Sequence, residues 1–236
     1  MSQSKEKAEE LRARAGWYRL LAGVFAEELQ GDFLRELRSD AYLTALEELG
    51  VNFKNDFLNT DLTELEEVLA CEYTMLFVAP GGFPPVESVR LQGGFRQSAV
   101  TETKALYAGE GYAAKPGRFT IFDDHLAVEM GFIAVLLEQQ ADALGHNEAT
   151  EAKRLEKLIK RFWVKHLGRW IRGFSNLIEE ASEHSFYREM AILLNAFAES
   201  ELELLKLDIS DADGGRWRAP KPAEVDQPMQ CGGVTK

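Results

Sequence analysis

Apolar residues recur at spacings of three and four through most of the chain, the rhythm of helices that bury one face. Leu11, Ala15, Tyr18, Ala22 and Phe25 form one such stripe and predict a helix over about residues 3–29. A shorter helical stretch follows around 32–50 and ends at Gly50, the residue type best suited to a helix stop. Asp61 and Glu64 have capping-box spacing and start a helix carrying Leu62, Leu65, Leu69, Leu76 and Phe77, which Pro80-Gly81-Gly82 ends. Leu126, Met130, Ile133, Leu137, Ala141 and Leu144 form a further stripe, capped in front by Asp123 or Asp124 and behind by Gly145. Another helix is predicted from about 148, with Leu155, Leu158, Phe162, Leu167, Trp170 and Phe174, continuing towards Glu180. The last carries Phe186, Met190, Leu193, Phe197 and Leu204. No stretch sustains period-two alternation with β-branched residues, so the pattern predicts an all-α protein.

Proline placement sets the organisation. All seven prolines fall within 80–116 and 220–228, leaving 1–79 and 117–219 free of this helix breaker. The expected architecture is a single-domain helical bundle over residues 1–206 with a long Pro/Gly/aromatic loop in its middle. An extended or disordered acidic tail over 207–236 should follow, because three prolines and four glycines sit there among acidic residues. The loop runs from Pro80 to about Phe122, with room for a short helix around 98–111 carrying Leu106 and Tyr107. No repeat at solenoid periods is visible.

With 236 residues, 45% of them apolar and 28% charged, the chain has enough apolar material for a real core. The net charge of −12 removes nucleic acid from the candidate partners, since phosphate binding needs a concentrated basic face. It suits a partner that carries positive charge. Two cysteines in different contexts, Cys71 and Cys231, do not make a disulfide framework. The polar first ten residues lack a signal-peptide core, and the nearly apolar run Leu126 to Leu137 is interrupted by Glu129 and too short for a bilayer. A cytoplasmic protein without membrane insertion is expected.

The chemistry of enzymes is incomplete in this sequence. The residues three before His125, His146, His166 and His184 are Phe122, Ala143, Trp163 and Ala181, so the Glu-x-x-His element of di-iron bundles is absent. His125 and Glu129 could share a helical face as ligands, but no second pair completes a site, and a helix-start histidine bonded locally is the simpler reading. There is no Gly-x-Ser-x-Gly elbow, no phosphate loop and no EF-hand spacing in the Asp208–Asp213 run, which reads as a solvated tail. No catalytic residue, metal ligand or cofactor is assigned. The alternative kept open is a helical metal- or nucleotide-binding enzyme with its site near His125 and Glu129.

What survives is the central loop and its flanks. Tyr73, Phe77, Phe83, Phe95, Tyr112, Phe119 and Phe122 supply apolar surface, and Glu72, Glu87, Asp123 and Asp124 supply anionic points. An apolar groove rimmed by carboxylates suits a peptide bearing Arg or Lys. The same aromatics equally suit a cap over the bundle core, and that is the simpler reading of the residues alone.

At these residues the chain resembles the TorD/DmsD family of molybdoenzyme maturation chaperones, with the related NarJ group. The elements that carry the resemblance are Glu72-Tyr73-x-x-Leu76-Phe77-x-x-Pro80, then Pro84-Pro85-Val86-Glu87-Ser88-Val89, and Asp124-His125-Leu126 followed by Glu129-Met130 and Phe132. Trp170, Phe174 and Phe186-Tyr187 add a weaker match, and together these cover about residues 10–205. Phe122 stands where the motif usually has Pro, and Val86 replaces an aromatic, two changes expected to alter the choice of client.

The resemblance implies a cytoplasmic, non-enzymatic chaperone that needs no cofactor of its own. It implies binding to the apo-molybdoenzyme catalytic subunit and its twin-arginine leader peptide, holding back export until the molybdenum cofactor is inserted. The implied peptide-binding residues are Glu72, Tyr73, Leu76, Phe77, Pro80, Pro85, Glu87, Ser88, Asp124 and His125. A monomer or a domain-swapped dimer is expected, the loop before Asp123 being long enough to act as a hinge.

Overall fold

Ten α-helices occur among the residues described in the computed structural model, 3–115 and 122–213. In chain order they are α1 (Gln3–Ala26), α2 (Gly31–Leu37), α3 (Asp40–Glu48), α4 (Asn55–Leu58), α5 (Leu62–Tyr73), α6 (Ser98–Gly109), α7 (Leu126–Gly145), α8 (Ala149–Lys165), α9 (Ile171–Ala181) and α10 (Ser185–Leu205). Phe119, Trp217 and Cys231, and residues 214–236 of the expected tail, lie outside the described residues.

The centre is α7, whose Leu126, Met130, Ile133, Leu136 and Leu137 are fully buried. It is apolar nearly all round because α1 and α8 both pack against it, and a helix covered on several sides has no polar face to keep. Helices α9 and α10 pair beside them. Arg12 of α1 meets Asp142 of α7 at 2.7 Å, and Arg19 meets Glu138, so surface ion pairs line the α1–α7 seam. Inside, the Trp163 indole N–H donates to the Tyr18 hydroxyl at 2.8 Å, and that hydroxyl donates to Glu201 at 2.7 Å. Arg14 completes the chain with two bonds to Glu201 at 2.9 and 2.6 Å. This network joins α1, α8 and α10 through groups that would be costly to bury singly.

Three boundaries differ from those expected. The 32–50 stretch is two helices, broken at Arg38-Ser39, where Arg38 turns to donate to the Leu58 and Thr60 carbonyls. The helix expected from 148 to Glu180 is also two, separated at His166 (φ −125°, ψ −98°) and a 3₁₀ turn over Leu167–Arg169. The rhythm slips there, from Phe162 to Leu167 in a step of five. Gly168 is required in this corner, since a Cβ would stand 2.7 Å from the Trp163 carbonyl oxygen and 2.8 Å from Ile209. Third, α7 is capped by His125, whose Nδ1 accepts the Ala127 N–H at 3.1 Å, and not by Asp123 or Asp124. His184 caps α10 in the same way through the Phe186 N–H, also at 3.1 Å. The Asp61 cap of α5 is as expected, accepting from Thr63 and Glu64.

The segment after α10 runs back along the bundle. Asp211 accepts the Gly173 N–H at 2.9 Å, the Ala212 N–H donates to the Arg169 carbonyl, and Asp213 forms a fully buried pair with Arg90 at 2.8 Å. Asp213 is therefore not a solvated tail residue: burial of the Arg90 guanidinium demands a carboxylate beside it. No helix among the described residues is long and apolar enough to cross a membrane.

Candidate functional site

The two motif segments meet directly. Val86 and His125 form an antiparallel bridge, with the Glu87 N–H donating to the Asp124 carbonyl at 2.9 Å and the Leu126 N–H to the Pro85 carbonyl at 2.8 Å. The Asp124 carboxylate accepts the Ser88 N–H at 2.8 Å. Tyr107 of α6 donates to the Asp123 carbonyl at 2.8 Å and anchors the approach to this clasp from the other side. The first of these segments is flanked by two π-helical turns, Thr74–Val78 after α5 and Ser88–Gln92 after the bridge, a rare backbone form often found at functional positions. The first turn closes on Gly82, where a Cβ would lie 2.8 Å from the carbonyl oxygens of both Met75 and Leu76.

The ten residues of the implied peptide site fall into three groups. Tyr73, Pro85, Glu87, Ser88, Asp124 and His125 are buried, several of them bonded within the clasp. Glu72 is half-buried and accepts the Glu183 and His184 N–H groups at 2.7 and 2.9 Å, fixing the start of α10. Leu76 and Phe77 point to opposite sides of the π-turn, and Pro80 is exposed.

A groove lies on each side of that turn. The smaller, about 180 Å³, is lined by Phe77, Pro85, Val86, Phe95, Phe122 and His125. Val86 and Phe122, the two departures from the family motif, therefore share one wall. The larger, about 850 Å³, lies between α5 and the α9–α10 junction and is lined by Glu67, Val68, Cys71, Met75, Leu76 and Phe83, with Glu183 and His184 across from them. Val68, Cys71 and Met75 are spaced three and four apart and face outward; Val68 is 43% exposed and Met75 68%. The buried stripe of α5, Leu65 and Leu69, dominates its apolar periodicity and masks this second stripe in the sequence. It is legible once the buried one is assigned.

Behind the clasp lies a buried cluster. His166 Nδ1 is 2.9 Å from a Glu87 oxygen, and one donor atom each of Glu87, Glu129 and His166 lies within 4.8 Å of the others. Both Glu129 oxygens, His166 Nε2 and Asp124 Oδ1 are buried without a hydrogen-bond partner. The Trp170 indole N–H faces Glu129 but does not reach hydrogen-bond geometry. Burial holds the Glu129 carboxyl well above the ordinary carboxylate range, and the negative charges of Glu87 and Asp124 add to this. Asp124 is raised too, chiefly by burial, against the lowering effect of its Ser88 bond. Burial alone lowers His125 to about 4, so it is neutral at pH 7, as its acceptor role at Nδ1 requires. The His125–Glu129 pairing considered from spacing does not form a ligand pair: His125 turns to the Ala127 N–H, and Glu129 joins Glu87 and His166. Only Glu129 carried a sequence signal, as the one charge in an apolar run; the partnership of Glu87 with His166 spans 79 residues and left none.

Comparison with known proteins places the chain in a family. The nitrate reductase delta subunit family model matches residues 27–176, well over half of the chain. The chain is 25% identical over 223 residues to the chaperone protein TorD of Shewanella pealeana, covering 84% of this chain and 92% of that protein. A crystal structure from Archaeoglobus fulgidus, provisionally described as a redox enzyme maturation protein, superposes with a TM-score of 0.51 at 20% identity, covering 79% of this chain and 93% of that one. That likeness bears on the fold, and it is an all-α likeness, as the apolar rhythm predicts. This chain belongs to the nitrate reductase delta subunit family, which groups the TorD- and NarJ-type proteins.

Proposed function

We propose that this protein is a cytoplasmic, non-enzymatic maturation chaperone that binds the twin-arginine leader of an apo-molybdoenzyme catalytic subunit and assists cofactor insertion before export. Residues 1–206 are the chaperone body in this reading. The observation that carries the binding site is the larger groove, with its exposed Val68–Cys71–Met75 stripe beside the exposed carboxylates of Glu67 and Glu183. A leader peptide pairs two guanidinium groups with an apolar stretch, and the groove offers the complement of both. Of the residues implied by family resemblance, Glu72 and Leu76 line this groove, while Asp124 and His125 hold the clasp behind it. The smaller groove, with Val86 and Phe122, is the place where client choice is tuned.

The test is titration calorimetry with a synthetic twin-arginine leader and a control in which both arginines are glutamine. Binding that weakens at least tenfold with the control peptide, and likewise with Met75→Asp or Glu67→Lys, is expected, with melting temperatures unchanged. Equal binding of both peptides, or indifference to both substitutions, would sink the groove assignment.

A further inference from the structure

We propose that Glu87, Glu129 and His166 form a binding site for one divalent transition-metal cation, clamping the central clasp onto α7 and the end of α8.

The three ligands come from three separately anchored elements. Glu87 follows the Val86–His125 bridge, Glu129 lies on the first turn of α7, and His166 occupies the break that ends α8. Their donor atoms already lie within 4.8 Å of one another, and Glu87 and His166 approach to 2.9 Å. Bonds of about 2.0–2.2 Å from one metal ion would set its ligands roughly 3.3–3.6 Å apart, within reach of small side-chain adjustments.

Burial and charge make the case for an ion. Glu129 has no exposed surface, and neither of its oxygens has a hydrogen-bond partner. Buried carboxylates in folded proteins are nearly always satisfied, so two orphaned oxygens call for a partner. The charges acting most strongly on Glu129 are those of Glu87 and Asp124, both negative, which makes the surroundings attract a cation. Two carboxylates and a neutral imidazole around a divalent ion sum to zero charge, the arrangement that a buried site tolerates best.

The donor set decides the class of ion. One imidazole nitrogen with carboxylate oxygens suits zinc, cobalt, manganese or ferrous iron, and is poorly matched to calcium or magnesium, which take oxygen alone. All three ligands are buried and come from separate elements, so the ion would hold the clasp in place, with a water completing the fourth position of a tetrahedral site. It is independent of the leader-peptide reading: the groove lined by Met75 and Glu67 shares no residue with it.

The experiment uses the untagged full chain, stripped with a chelator and dialysed, then titrated with zinc and with cobalt. Elemental analysis after desalting should find about one equivalent of bound metal. Glu129→Gln and His166→Gln should each weaken binding at least tenfold, whereas Cys71→Ser should leave it unchanged. The cobalt form of the unsubstituted protein should show ligand-field bands without a thiolate charge-transfer band. Less than a tenth of an equivalent retained, or undiminished binding by folded Glu129→Gln protein, would overturn the site and leave a proton shared between Glu87 and Glu129. A thiolate band would overturn it even if the substituted proteins fail to fold.

Discussion

The backbone N–H of Ser88 donates to the Asp124 carboxylate at 2.8 Å, fully buried, across 36 residues of sequence. With the Val86–His125 bridge this bond joins the end of one loop segment to the start of α7. Asp124 therefore holds the clasp together and is not placed to greet a cationic ligand from solvent.

Removing that carboxylate should cost stability before it costs binding. Asp124→Ala leaves the buried Ser88 N–H without an acceptor, a loss of about 1–3 kcal/mol. Asp124→Asn keeps an acceptor oxygen and should recover most of it. Urea denaturation monitored by circular dichroism checks both, and an Asp124→Ala protein as stable as the parent would contradict the clasp.

His125 makes stability depend on pH in the acid range. Its folded value is lowered to about 4 from the ordinary 6.5, so between these the unfolded chain binds the extra proton. Stability from this group is fully present above 6.5 and is lost as pH falls towards 4. The full effect is of the order of 3 kcal/mol. Asp124, with its raised value, pulls with the opposite sign as pH climbs, so the comparison must be made against a non-titrating cap. His125→Asn retains an N-cap side chain and should flatten the slope between pH 6.5 and 4 in thermal melts. An unchanged slope would mean that His125 is not buried neutral.

The Trp163–Tyr18–Glu201 chain predicts a third outcome. Tyr18→Phe fills the same volume but strands the Trp163 N–H and removes a donor to Glu201, both buried. A loss of about 1–3 kcal/mol should follow, read as a lowered denaturation midpoint with unchanged m-value. Trp163 fluorescence should shift as well, because the hydroxyl that accepts its indole N–H is gone.

The division between sequence and tertiary structure follows from the range of the forces involved. Apolar rhythm, the Asp61 cap and proline placement are local, and they were enough to establish an all-α protein, the courses of α1, α5, α7 and α10, and the short helix inside the central loop. The Asp-His and Pro-Pro-x-Glu-Ser elements also marked out where two segments meet. Folding alone decided how they meet. Whether Asp124 or His125 caps α7 depended on the Ser88 N–H arriving from 36 residues away. Glu129 acquired Glu87 and His166 as neighbours, and Arg90 acquired Asp213 as its counter-charge, through packing across long stretches of sequence, of which periodicity carries no record. The outward Val68–Cys71–Met75 stripe became a groove wall only when the α9–α10 junction came to lie opposite it.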